Sequence, residues 1–232
     1  MLDFTQFQWL SFDCYGTLID WESGILGYLR PLLQLKGCTL SDAEILSLYS
    51  EFEPREQAGA YRTYREVLAS VVHDFARELR FPVSDAEAAA LAGSIADWAP
   101  FADTVPALRR LQLRYRLAIL SNIDEELFAY SEKKLEVPFD CVLTAQQLRS
   151  YKPALQNFEA LLRKLAIAPD RLLHVAESLY HDVASAHSLG IPTVWVNRRQ
   201  GRAAAASKLA EVRPDVEVAN LEELADLTAP RE

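Results

Sequence analysis

The chain has 232 residues, half of them apolar and a quarter charged, a composition that excludes a disordered chain and fits one large domain or a domain carrying a substantial insertion. Twenty-four Lys and Arg against 33 Asp and Glu give a net charge of −9, which argues against a general nucleic-acid binder or an anionic-membrane binder. Cys14, Cys38 and Cys141 form no CxxC and no Cys/His cluster, so they predict neither structural zinc nor a full disulfide set, and unpaired thiols fit a reducing compartment.

The first residues, Met1 to Gln6, carry no basic stretch ahead of an apolar run, and no stretch approaches 18 uninterrupted apolar residues. The expectation is a cytoplasmic protein with no signal peptide and no membrane span. In chain order, the first element is Phe7 to Phe12, a short apolar run that reads as a buried strand. No convincing strand follows between about residues 20 and 99. Ser41-Asp42-Ala43-Glu44 and Ser84-Asp85-Ala86-Glu87 are capping boxes, and Tyr61 to Arg80 has the period of one long amphipathic helix. Roughly 80 residues of helix after one strand is far longer than an ordinary βα crossover, so the spacing predicts a helical insertion.

Strands resume at Leu117 to Leu120, Leu172 to Val175, Thr193 to Val196 and Val216 to Val218. Leu155, Phe158, Leu161, Leu162 and Leu165 make one helical stripe; Val183, Ala186 and Leu189 make another, closed by Gly190. Asn220 and Glu223 read as a capping pair opening the last helix. Strands alternating with helices imply an α/β fold with a parallel sheet covered on both faces. There is no internal repeat, and the only biased tract is the short run Ala203 to Ala206.

The first strand runs into Asp13-Cys14-Tyr15-Gly16-Thr17-Leu18-Ile19-Asp20. A carboxylate at a strand end beside a glycine turn is presented rather than buried, although a loop Asp there is as readily a turn residue. Three later segments bring polar groups to the same sheet edge: Ser121-Asn122, Tyr151-Lys152-Pro153, and His174 to Asp182. Singly, Ser121-Asn122 is a helix cap, Lys152 a solvated lysine and Asp182 the N-cap of the helix ending near Gly190. Four such coincidences in this order argue for a site.

The ordered set resembles the haloacid dehalogenase superfamily over nearly the whole chain. Asp13 matches the superfamily nucleophile, Ser121 the hydroxyl of the second motif, Lys152 the lysine of the third, and Glu177 with Asp182 the acidic pair of the fourth. The resemblance implies a Rossmann-like three-layer α/β/α core over residues 1–19 and 100–232, with a helical cap over 20–99 inserted after the first strand. Asp13-x-Tyr15-Gly16-Thr17-Leu18 looks like the 2-haloacid dehalogenase branch, because the superfamily's phosphatases place a second Asp where this chain has Tyr15. A phosphate ester expels an alkoxide that needs a general acid, whereas halide needs none, and Tyr is a poor acid at neutral pH.

The implied reaction is attack by Asp13 on the 2-carbon of a small carboxylate, with halide or amine leaving and water cleaving the aspartyl ester. Thr17 would hydrogen-bond Asp13, Lys152 would hold it ionised, Asp182 would anchor Lys152 or position water, and Tyr15, Ser121 and Asn122 would bind substrate. No cofactor is required on this reading. The alternative is a Mg²⁺-dependent phosphatase of small metabolites, with the ion on Asp13, the Tyr15 backbone carbonyl and Asp182, and Glu177 behind them. A third reading is a non-catalytic module that binds a ligand or partner. A homo-oligomer stays open.

The chain departs from the dehalogenase pattern. Arg55, Arg62 and Arg65 are candidates only by type for the cap arginine that cradles halide, and Phe158 stands where dehalogenases place a Tyr. The first and fourth motifs together are similar to a sub-branch that includes azetidine-2-carboxylate hydrolase, which opens a ring at a C–N bond. Trp21, Tyr61, Tyr64 and Trp98 read mainly as core, with Tyr61 and Tyr64 on one helix face. His174 reads as structural, His181 as facing the cleft, and Cys14 as pointing away from it.

Overall fold

The computed structural model describes residues 2–198 and 212–229. The Ala203 to Ala206 run lies outside them. Among the described residues the central sheet has six parallel strands in the order β3-β2-β1-β4-β5-β6: β1 (Trp9–Phe12), β2 (Arg116–Ser121), β3 (Cys141–Thr144), β4 (Leu172–Ala176), β5 (Thr193–Val196) and β6 (Val216–Val218). All four residues of β1 are buried, as a strand between two parallel neighbours must be. The five strands read from the sequence are present, and β3 is an addition. Its four residues carry no alternation or length to separate them from a loop.

Among the described residues, ten α-helices lie in the connections: α1 (Trp21–Leu35), α2 (Asp42–Gln57), α3 (Tyr64–Leu79), α4 (Asp85–Ser94), α5 (Thr104–Leu111), α6 (Glu125–Leu135), α7 (Ala145–Leu148), α8 (Leu155–Leu165), α9 (Ala184–Ser188) and α10 (Leu221–Leu227). Helices α1–α4 lie between β1 and β2 and form the inserted helical cap, with no strand among them. Ser41 and Ser84 close the two expected capping boxes, and a third, Thr63 with Glu66, starts α3 at Tyr64 rather than at Tyr61. Tyr61 therefore precedes the helix and does not share its face with Tyr64. Asn220 accepts from the Glu223 N–H and opens α10 as expected.

Val67, Leu68, Val71, Val72 and Phe75 of α3 are fully buried and form the spine of the cap. Each such side chain contributes about 1.5–3 kcal/mol relative to exposure. Strand order reverses between β1 and β4, the place where open α/β sheets hold ligands beyond their carboxyl ends. Asp13 follows β1 at that place. No described helix is long and apolar enough to cross a membrane.

Candidate active site

Asp13 leaves the sheet with its N–H donating to Val175 O of β4. The turn beyond it is tight: the N–H groups of Leu18 and Ile19 both donate to Cys14 O. Gly16 sits at φ +98°, and a Cβ there would lie 2.9 Å from Trp21 Nε1, so glycine is needed for backbone and for space. Thr17 Oγ1 donates to Asp13 Oδ2 at 2.9 Å and accepts from the Glu177 N–H at 2.9 Å. Arg198 braces the turn from behind, donating Nε and Nη2 to Thr17 O and pairing with Asp103. Cys14 is fully buried in the core, away from the cleft.

Lys152 is 2% exposed, and its ammonium has three acceptors: Asp13 Oδ1 at 2.8 Å, Asp182 Oδ1 at 2.6 Å and Leu120 O at 2.9 Å. An ammonium has three donors, so it is saturated. Burial opposes its charge, but Asp13 and Asp182 more than offset that and hold it above its ordinary range. Burial pushes the Asp13 carboxyl up against the pull of Lys152. Burial acts the same way on Asp182, but Lys152 and His174 win and hold it at about 2.

His174 is fully buried in β4 between Ser11 Oγ (2.8 Å) and Asp182 Oδ1 (3.0 Å). The tautomer that satisfies both neighbours carries its proton on Nε2. Asp182 does not cap a helix: Ser178 takes that role, accepting from the His181 N–H. A π-helical turn over Leu179–Val183 rotates Asp182 inward beneath Lys152. Phe158 packs edge-on against His174 in the core and does not reach the cleft.

Three candidate binding residues differ in what they offer. The Ser121 hydroxyl is buried and has no hydrogen-bond partner among the described residues. Asn122 lines the cleft, but its side chain is spent on the Lys152 backbone, accepting from N–H at 2.7 Å and donating to O at 3.0 Å. It aligns the lysine instead of presenting a free amide. The Tyr15 hydroxyl is engaged with Ser131 Oγ at 2.9 Å, so the cleft receives its ring. Burial pushes that hydroxyl well above the ordinary tyrosine range, which makes it a still poorer acid than the sequence implied.

Asp13, Ser121 and Lys152 open onto a cleft of about 120 Å³ roofed by the cap. Trp21 and Tyr64 line it, whereas Tyr61 stacks on Tyr151 and Trp98 packs edge-on against Tyr15 outside it. His181 lines it too. None of the three arginine candidates does. Arg55 pairs with Asp74, Arg62 with Glu56, and Arg65 reaches toward Glu126.

Four lining residues of α2 were not anticipated from the sequence, Tyr49, Ser50, Glu53 and Pro54. Tyr49 Oη lies 3.1 Å from Tyr64 Oη; Glu53 Oε1 accepts from Tyr64 Oη at 3.3 Å and from Gln57 Nε2 at 2.5 Å. Burial pushes the Glu53 carboxyl to about 7. A signal was present: Ile45, Tyr49, Phe52 and Glu53 fall on one face of α2, so an acid stands in an apolar stripe.

The family profile described as haloacid dehalogenase-like hydrolase matches residues 7–190. An (S)-2-haloacid dehalogenase of Pseudomonas putida is 23% identical, over 94% of this chain and 95% of its own. The (S)-2-haloacid dehalogenase H-109 of the same species is 27% identical, over 81% and 84%. The crystal structure of the L-2-haloacid dehalogenase PA0810 superposes with a TM-score of 0.79 at 23% identity, covering 95% of this chain and 98% of that one. At that identity the superposition speaks for the fold.

Proposed function

The chain belongs to the haloacid dehalogenase-like hydrolases, and from that premise we propose that it displaces a leaving group, halide or amine, from the 2-carbon of a small carboxylate through an ester on Asp13. The observation that carries this reading is the disposition around Asp13: Oδ1 on Lys152, Oδ2 on Thr17, and a buried Ser121 hydroxyl with no partner in the same cleft. Lys152 and Thr17 fix the carboxylate, so that attack needs no reorganisation. Ser121 supplies a donor for the substrate carboxylate, together with the Lys152 charge. Asp182 and His174 keep Lys152 protonated and in place. The names of the relatives, which print 2-haloacid substrates, support the choice of substrate class.

The phosphatase alternative needs Mg²⁺ on Asp13, the Tyr15 carbonyl and Asp182. Those residues do not fit a hard cation as arranged: both Asp13 oxygens accept from Lys152 and Thr17, and Asp182 Oδ1 accepts from Lys152 and His174. Among the described residues no cluster of three or more His, Cys, Asp or Glu is placed to hold a metal ion. We therefore derive no step through a metal. A binding-only role leaves the orientation of Asp13 without a purpose.

The test is hydrolysis of 2-chloropropionate enantiomers, azetidine-2-carboxylate and p-nitrophenyl phosphate, in EDTA and again in Mg²⁺. A carboxylate should turn over in EDTA, and Asp13→Asn should abolish that turnover while ligand binding persists. Phosphate release only with Mg²⁺, or full activity of Asp13→Asn, would overturn the proposal.

A further inference from the structure

We infer that Glu53 is the base that takes a proton from the water cleaving the Asp13 ester, so that the second half of the reaction is driven from the cap. The inference rests on the displacement reading above and adds the group that completes it.

The two steps make different demands. Displacement needs an ionised Asp13, whereas the water that attacks the ester must shed a proton in the transition state. Asp182 is poorly suited to receive it. Its Oδ1 accepts from Lys152 at 2.6 Å and from His174 at 3.0 Å, and at about 2 it holds a proton too weakly to draw one from water near neutral pH. Glu53 lines the same cleft from the roof. A cleft of about 120 Å³ holds only a few waters at ~30 Å³ each, so a bound acid and a water or two separate roof from floor.

The roof carboxylate is held for use. Glu53 Oε1 accepts from Tyr64 Oη at 3.3 Å and from Gln57 Nε2 at 2.5 Å. Among the described residues those bonds fall on Oε1 alone, which leaves Oε2 to receive a proton. Tyr49 Oη, 3.1 Å from Tyr64 Oη, donates to it while Tyr64 donates to Glu53. The backbone of Tyr64 is pinned to the floor, because Asp124 accepts from its N–H at 2.9 Å. Two residues before Asp124, Asn122 aligns Lys152, and Lys152 holds Asp13. A short chain of bonds thus fixes Glu53 against Asp13, and fixed geometry is what proton transfer requires. The surroundings agree with the role. Withdrawal from water pushes Glu53 to about 7, where a carboxylate is still present at neutral pH and binds a proton well enough to accept one. Carboxyls whose environments drive them apart, Asp182 down and Glu53 up, divide anchoring from proton transfer.

The chemistry balances without another reactant. Asp13 forms an ester to the 2-carbon, and the bonding pair departs with the leaving group. Water oxygen then attacks the Asp13 carbonyl carbon as one of its protons passes to Glu53. The Cγ–O bond to the substrate breaks, its pair goes to the substrate oxygen, and that oxygen takes the proton back from Glu53. The products are a 2-hydroxy acid and Asp13, which returns to carboxylate as the second water proton passes to solvent or to a departed amine.

The probe is 2-chloropropionate or azetidine-2-carboxylate, whichever the wild type turns over. It is mixed with wild type and with Glu53→Gln, quenched in acid and read as intact protein mass. Gln is nearly the same size and accepts no proton. Glu53→Gln should accumulate the ester, mapped to Asp13 by peptide mass, and its kcat should fall about a hundredfold. Its kcat/KM, which reports the steps up to departure of the leaving group, should stay within about threefold. A merely structural role would lower kcat/KM and accumulate nothing. Thermal melts report folding, and Glu53→Met replaces Glu53→Gln should the latter not fold. Wild-type kcat in Glu53→Gln with no accumulated ester would overturn the inference and leave the Asp13 displacement intact. Loss of both ester and turnover in the folded variant would also overturn it, since Glu53 would then serve the first step. A wild type that turns over neither probe would overturn the displacement reading and this inference with it.

Discussion

Asp182 on the floor of the cleft and Glu53 on its roof are both carboxylates withdrawn from solvent, and their surroundings push them in opposite directions. Asp182 has an ammonium and an imidazole on one oxygen and is held at about 2. Glu53 has a phenol and an amide and is pushed to about 7. The floor is electrostatically finished: Asp13, Lys152, Asp182 and His174 satisfy one another before anything binds. The roof is not, and an unfinished group facing a cleft is where a ligand can contribute most. On the proposed function, the reacting groups stand at the sheet edge and the unfinished one on the inserted helices.

The largest effect is expected at Lys152. Lys152→Met removes the charge that two buried carboxylates share, and breaking such a pair costs about 3–5 kcal/mol. The urea midpoint should fall accordingly and turnover should vanish. A midpoint within experimental scatter of wild type would show that the floor is not held by charge. The second largest effect is on pH dependence. On the proposed displacement Asp13 must be ionised to attack, and its folded value is raised, so activity should be lost as pH falls through that raised value. The acid limb of kcat/KM should lie above the ordinary carboxylate value of about 3.9. A profile flat down to pH 4 would contradict this.

The roof responds with the opposite sign in stability. Folding favours the protonated form of Glu53, so its ionisation destabilises the native state as pH rises from the ordinary value of 4.5 to about 7. Glu53→Gln should raise the thermal midpoint at pH 8, and the gain should shrink to nothing below about pH 4.5. A variant that is less stable at pH 8 would mean Glu53 is structurally satisfied. The smallest effect concerns how the two regions are joined. Asp124, just beyond β2, accepts from the N–H groups of Tyr64 and Arg65, both at 2.9 Å, and so caps α3 from the sheet side. Asp124→Ala should cost about 1 kcal/mol and speed hydrogen exchange in the first turn of α3 while leaving that of β1 unchanged.

The floor was legible in the sequence and the roof was not, for a physical reason. Asp13, Thr17, Lys152 and Asp182 stand at strand ends and loops whose positions follow from apolar runs and glycine turns, so their convergence can be anticipated. Glu53 and Tyr49 reach the cleft only because α2 packs across it, which no local pattern states. The same gap hid the work of Asn122, whose amide reads as a ligand and is spent on Lys152. The helix-cap alternative for Asp182 falls because a π-helical turn at Leu179–Val183, which is not written in a three-to-four periodicity, turns it inward. Strand β3, four residues at the sheet edge, was missed for want of length.

The bracing of the turn after Asp13 bears on how the chain is made. Ser11 meets His174, 163 residues away, and Thr17 O meets Arg198 across 181 residues. Contacts so distant along the chain close late in folding, after the loop entropy between them has been overcome. A ribosome-bound chain that has emerged as far as the cap already carries Asp13 and Thr17 but lacks Lys152, the other group on the Asp13 carboxylate. Asp13 is thus among the first residues synthesised while its Lys152 partner lies 139 residues further on, and a chain truncated before β4 lacks His174 and Asp182 as well as part of the sheet.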